Sequence, residues 1–160
     1  MEGFPYVKSL VAPTVIAVAL VLWPVLESRR IPDTRVWLVF LWVFLMLTMN
    51  SLVFDHRDII GDRRTGTRTI PSFLGQRASQ LLLVLLAIAL VLFSSTLYWL
   101  GIERGTLPWL LAIGCGALLL SVRKSVSPLL LSFFADLLLL LPALAEFAIH
   151  FGRDDGLSMK

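Results

Sequence analysis

Apolar and polar positions along this chain fall into long blocks. Five apolar runs, at about 10–26, 36–54, 80–100, 107–122 and 129–151, are separated by polar segments. A helix rises about 1.5 Å per residue, so about 20 apolar residues are needed to cross roughly 30 Å of hydrocarbon. The third and fifth runs reach that length, the second is close to it, and flanking residues extend the first and fourth. The pattern predicts an all-α polytopic membrane bundle of about five transmembrane helices, folded as one domain over residues 1–160. Tyr6, Trp23, Trp37, Tyr98, Trp99 and Trp109 fall near the ends of the runs. That is where an interfacial aromatic belt is expected. Pro13, Pro24, Pro108, Pro128 and Pro142 lie within or beside them, and membrane helices tolerate proline better than soluble ones.

Composition strengthens this picture. The chain is 58% hydrophobic and 16% charged, with a mean hydropathy of +0.85. A soluble domain of this size needs more polar surface. The net charge of +3 is modest and no basic tract is long enough to follow a nucleic-acid backbone. Membrane lipid is therefore the expected surrounding, with no nucleic-acid partner. The N-terminus lacks a basic leader and a cleavage site, so the first run reads as a retained span. Cys115, the single cysteine, sits between Gly114 and Gly116. It has no partner for an internal disulfide and reads as small-residue helix packing.

The connections between runs are short except one. Residues 55–79 form a long polar segment, and a long loop in a compact protein is usually functional. Lysine and arginine counts orient it. Eight (Lys8, Arg57, Arg63, Arg64, Arg68, Arg77, Arg123, Lys124) share its side, against six (Arg29, Arg30, Arg35, Arg104, Arg153, Lys160) on the other. The positive-inside rule thus places this loop and the N-terminus in the cytoplasm.

The chemistry sits in that loop. Asp58 and Asp62 are four apart, so on a helix continuing from the second span they share one face. Two such carboxylates repel unless a cation lies between them. Mg²⁺ suits them, because it takes oxygen ligands and is commonly held by one or two carboxylates plus substrate phosphates. Asp55, three residues before Asp58, reaches the same face. Arg63, Arg64 and Arg68 offer fork donors for phosphate oxygens. Gly61 and Gly66 let the backbone turn tightly, Thr65, Thr67 and Thr69 add hydroxyls, and Pro71 ends a helical turn. The competing reading is a charged loop that only marks topology.

The run Asp55-x-Arg57-Asp58-x-x-Gly61-Asp62-Arg63-x-x-Gly66-x-Arg68-Thr69-Ile70-Pro71, followed by Leu74-Gly75, resembles the second aspartate motif of the UbiA superfamily of intramembrane prenyltransferases. Tyr6-Val7-Lys8-Ser9 is similar to the start of that family's fifth helix, and Asp136 with Leu141-Pro142-Ala143 to its last. The resemblance implies that the chain corresponds to the C-terminal five helices of a nine-helix fold. It implies a prenyl group passed from a prenyl diphosphate to a hydrophobic acceptor, aromatic or lipid, in quinone or isoprenoid biosynthesis. It also implies Mg²⁺ as cofactor, with Asp58 and Asp62 as catalytic metal ligands and Arg63, Arg68 and Arg57 as diphosphate contacts. Asn50, Asp55 and Asp136 would line the cavity or stand behind the ligands.

One departure matters. The family's first motif, N/D-x-x-x-D-x-x-x-D, has no counterpart: the acids before Asp55 are Glu2, Glu27 and Asp33. The expectation is therefore a chain lacking the family's N-terminal four helices, with little activity alone. It is a truncated product of a longer gene, a split subunit completed by an N-terminal partner chain, or a remnant that serves as a non-catalytic membrane subunit. A small transporter is a further reading, disfavoured because Asp136 alone is clearly intramembrane. Asp136 either lines the cavity or bonds a neighbouring helix. His56 reads as a solvated loop histidine rather than a base. Glu146 and His150 read as interfacial.

Overall fold

The computed structural model describes residues 7–102, together with 115, 127, 133, 135–137 and 140. Glu146, His150, Trp109 and most of the fourth and fifth apolar runs lie outside the described residues. Within them the secondary structure is helical, with three segments long and apolar enough to cross a membrane: Ser9–Glu27, Thr34–Arg57 and Gln76–Trp99.

The first span is interrupted by its prolines. Helix α1 (Val7–Ala17) contains Pro13, a π-helical segment Val18–Leu22 follows, and α2 (Trp23–Glu27) carries Pro24 in its first turn. Pro13 has no N–H, so the carbonyl of Ser9 loses its intrahelical donor. Ser51 of the second span replaces it, its Oγ donating to the Ser9 carbonyl at 3.2 Å. Before Pro24 the backbone re-routes by one residue, and the Trp23 N–H reaches the Val18 carbonyl.

The turn after α2 has an unusual residue. Arg30 N–H bonds the Val25 carbonyl at 3.2 Å and Arg29 N–H bonds that of Leu26 at 2.9 Å. This is a Schellman closure, in which the left-handed position normally belongs to glycine. Arg29 fills it at φ 56°. The left-handed conformation costs an L-residue roughly 1–2 kcal/mol, while glycine brings about 0.5–1 kcal/mol of extra chain entropy. Arg29→Gly is thus expected to stabilise the protein by about 0.5–1 kcal/mol, read as a higher Tm in micelles.

Helix α3 (Thr34–Arg57) begins at Asp33, whose Oδ1 accepts the Val36 N–H at 2.9 Å. Such a cap is worth about 1 kcal/mol. Helix α6 (Gln76–Trp99) ends at Gly101 (φ 67°), with Ile102 N–H on the Leu97 carbonyl. The two helices pack along matching stripes: Trp42, Met46, Met49 and Val53 against Leu83, Ala87, Leu90 and Leu97. Spacings of three and four put each stripe on one helical face. In lipid such helices associate through close packing rather than exclusion of water. Cys115 and Ala135 complete this core, with Cys115 Sγ 3.9 Å from Met49 Sδ. That fits the packing role expected for the cysteine. Trp23, Trp37, Tyr98 and Trp99 are exposed at or near helix ends, where the belt was expected.

Because the spans run up, down and up, residue 9 and the segment after Arg57 share one end of the bundle. The Arg29–Arg35 turn lies at the other.

Candidate functional site

The polar segment is shorter and more ordered than the sequence suggests. Helix α3 runs on through Asp55 and His56 to Arg57, and α6 already begins at Gln76. Between them lie two short helices, α4 (Ile59–Thr65) and α5 (Ile70–Leu74). Helix α4 stops at Gly66, at φ 71°, where Thr67 N–H bonds the Asp62 carbonyl at 2.9 Å. Helix α5 starts with a capping box. Thr69 Oγ1 accepts the Ser72 N–H at 3.3 Å, and Ser72 Oγ accepts the Thr69 N–H at 2.8 Å. Pro71 sits near the start, where its missing N–H costs nothing.

The three acids turn to three different partners. Asp55 accepts a hydrogen bond from Ser9 Oγ of α1. Ser9 is buried and also receives the Ile70 N–H at 3.4 Å, so it joins α1, α3 and α5. Asp58, at the break between α3 and α4, is held by the guanidinium of Arg57 at 2.8 and 3.0 Å. That guanidinium also lies 5.2 Å from the centre of the Phe54 ring. An ion pair this exposed contributes about 0–1 kcal/mol. Asp62 Oδ2 accepts from Thr69 Oγ1 at 3.0 Å. Asp58 and Asp62 remain one turn apart, joined through Asp62 N–H on the Asp58 carbonyl at 2.9 Å.

Behind Asp62 lies a cleft of ≈ 500 Å³ lined by Asp62, Arg63, Gly66, Thr67, Arg68, Ser72 and Phe73. Arg63 is steadied in it, its Nε donating to the Ser72 carbonyl at 3.2 Å and its guanidinium resting by Gly75. Arg57 and Asp58 are not among the residues that line it. The set offers one carboxylate, two guanidinium groups and two hydroxyls around an open space, which suits an anion with a cation beside it.

Among the described residues, no group of three or more His, Cys, Asp or Glu side chains stands together. Mg²⁺ takes six oxygens and is commonly held by one or two carboxylates, so Asp62 in the cleft, with Asp58 four residues before it, leaves the remaining positions to phosphate oxygens and water. The donor set therefore fits Mg²⁺ bound together with a diphosphate.

His56 corrects an expectation. It is buried, not solvated, and its Nδ1 lies 2.7 Å from Ser79 Oγ, tying α3 to α6. Asn50 is on α3 with its Oδ1 buried and without a partner among the described residues. Asp136 is exposed, beside the buried Ala135. Ser9, Thr69 and Ser72 carry more of the geometry than their sequence context suggested. Thr69-x-x-Ser72 with Pro71 between is a capping signature. Ser9 stands four residues before Pro13, where a freed carbonyl is predictable.

The family model of the UbiA prenyltransferase family matches residues 1–145. No curated protein and no solved structure matches the chain.

Proposed function

The chain belongs to the UbiA prenyltransferase family, and on that premise we propose that residues 58–72 bind the diphosphate of a prenyl donor together with Mg²⁺. The observation that carries this reading is the cleft, where Asp62, Arg63 and Arg68 converge with Thr67 and Ser72. Arg63 and Arg68 are the diphosphate contacts, since guanidinium forks match phosphate oxygens and stay charged. Asp58 and Asp62 are the residues that would hold Mg²⁺, and when bound it would neutralise charge building on the departing diphosphate. Arg57 holds and aims Asp58, with a secondary contact to diphosphate. The prenyl chain lies against the apolar bundle, and water is kept from the reacting carbon by those same walls. Asn50, whose Oδ1 has no partner among the described residues, and Asp55 and Asp136 are the cavity-side groups for the hydrophobic acceptor, an aromatic or lipid molecule of quinone or isoprenoid biosynthesis.

The first acidic motif belongs to this proposal as a contribution from outside these residues. A preceding segment or an N-terminal partner chain supplying it completes the metal site, with the loop on the cytoplasmic face. The chain alone then binds diphosphate better than it turns over.

The test is binding of a radiolabelled prenyl diphosphate to the full chain in nanodiscs. Saturable binding in MgCl₂ that is lost in EDTA is the expected result. Binding indifferent to EDTA would sink the metal-diphosphate reading. Robust diphosphate release by the chain alone would remove the need for a partner.

A further inference from the structure

Asp62 sits on a seven-residue helix in an exposed segment, yet its carboxylate is tied to a wholly buried residue. Thr69 is 0% exposed. Its Oγ1 accepts the Ser72 N–H at 3.3 Å and donates to Asp62 Oδ2 at 3.0 Å. The direction follows from proton counting. An amide N–H can only donate and a carboxylate can only accept, so the one hydroxyl proton goes to Asp62. Among the described residues no donor stands on the other oxygen, Oδ1.

Thr69 is itself anchored to the membrane helices. The next residue, Ile70, donates its N–H to Ser9 Oγ of α1, and that hydroxyl bonds Asp55 of α3. The Thr69 carbonyl accepts from Phe73 N–H at 3.1 Å, holding the start of α5 in place. Position is thus passed from two spans through one hydroxyl to one carboxylate. A ligand on a short, exposed helix would otherwise sample several rotamers.

We propose that Thr69 is a positioning residue for Asp62: by holding Oδ2 it turns Oδ1 toward the cleft, where a divalent cation and a diphosphate meet. This rests on the reading of the cleft given above. Groups that orient a metal ligand commonly matter by roughly 10–100-fold in metal affinity.

The experiment is a Mn²⁺ titration of the full chain in nanodiscs, with and without pyrophosphate, followed by the EPR signal of free Mn²⁺. Thr69→Val is expected to raise the Mn²⁺ Kd by roughly 10–100-fold. Thr69→Ser keeps the hydroxyl and should bind within about threefold of wild type. Thr69→Gly is the second variant if valine disturbs folding, because glycine is a tolerated N-cap that lacks the hydroxyl. It should lose Mn²⁺ as valine does.

Wild-type affinity in both Thr69→Val and Thr69→Gly, with Asp62→Asn impaired, would overturn the inference and leave the cleft reading standing. Equal weakening in Thr69→Ser, which keeps the hydroxyl, would show that the bond to Asp62 is not what matters and overturn it too. Absence of Mn²⁺ binding by wild type, with or without pyrophosphate, would overturn the cleft reading and this inference with it.

Discussion

Asp62→Asn is expected to lower Mg²⁺-dependent affinity for pyrophosphate by at least about 100-fold, since removing a ligand costs as much as or more than removing the groups behind it. The substitution is nearly isosteric. The amide oxygen still accepts the Thr69 hydroxyl, so α4 and α5 keep their arrangement. What disappears is the charge facing the cleft, and with it a hard oxygen donor for the cation. Asp58→Asn is expected to lose affinity as well, and its effect is equally readable. The ion pair to Arg57 is exposed and contributes about 0–1 kcal/mol, so breaking it explains little. Arg63→Gln and Arg68→Gln should weaken binding in the presence and absence of metal alike, since they act on the phosphate directly. Calorimetric titration with pyrophosphate at fixed Mg²⁺ measures all four. An Asp62→Asn chain that binds within twofold of wild type would remove Asp62 from the metal site.

Gly75→Ala is expected to destabilise the protein by about 1–3 kcal/mol, the cost of holding an L-residue in a glycine-only region of backbone space. Gly75 lies at φ 82°, ψ 171° between α5 and α6. The penalty is not crowding: an added Cβ meets the Arg63 guanidinium at 3.6 Å, an ordinary contact. It is the backbone that objects, because relaxing φ swings α5 against α6. The site feels the same swing. Gly75 N–H bonds the Pro71 carbonyl, and the Gly75 carbonyl accepts from Ser79, the residue bonded to His56. Gly61→Ala is the control of opposite sign. Gly61 is inside α4, its Cβ would meet nothing within 4 Å, and its φ is ordinary. Alanine there should stabilise by roughly 0.5–1 kcal/mol. Unfolding in micelles followed by circular dichroism separates the two. If Gly75→Ala melts with wild type, the α5–α6 junction tolerates a different backbone path.

Much of the fold was legible because lipid imposes simple demands. Apolar runs at 10–26, 36–54 and 80–100 announce the three described spans, as hydrocarbon leaves the backbone no other way to satisfy itself. The helix ends extend past these runs for the same reason that they are hard to read. Asp55, His56 and Arg57 are polar, yet α3 continues through them: neighbouring helices supply partners for Asp55 and His56, and Arg57 pairs with the adjacent Asp58. Hydropathy sees the polarity and not the partner. The cleft was half legible. Its arginines, glycines and aspartates stand close together in the chain, and Gly66 does end a helix as its type suggests.

The sequence by itself determined that this is a membrane helical bundle of the UbiA family with a charged segment between two of its spans. Hydropathy, helix length and motif spacing are local properties, and they survive without knowledge of packing. The tertiary structure alone decided where each acid points. Asp58 precedes α4 and Asp62 lies within it, and their oxygens follow Arg57 and Thr69. Asp55 turns to Ser9, 46 residues away, because Pro13 and the packing of α1 on α3 bring that hydroxyl within reach. Side-chain direction depends on partners distant in sequence, and those exist only once the helices have packed.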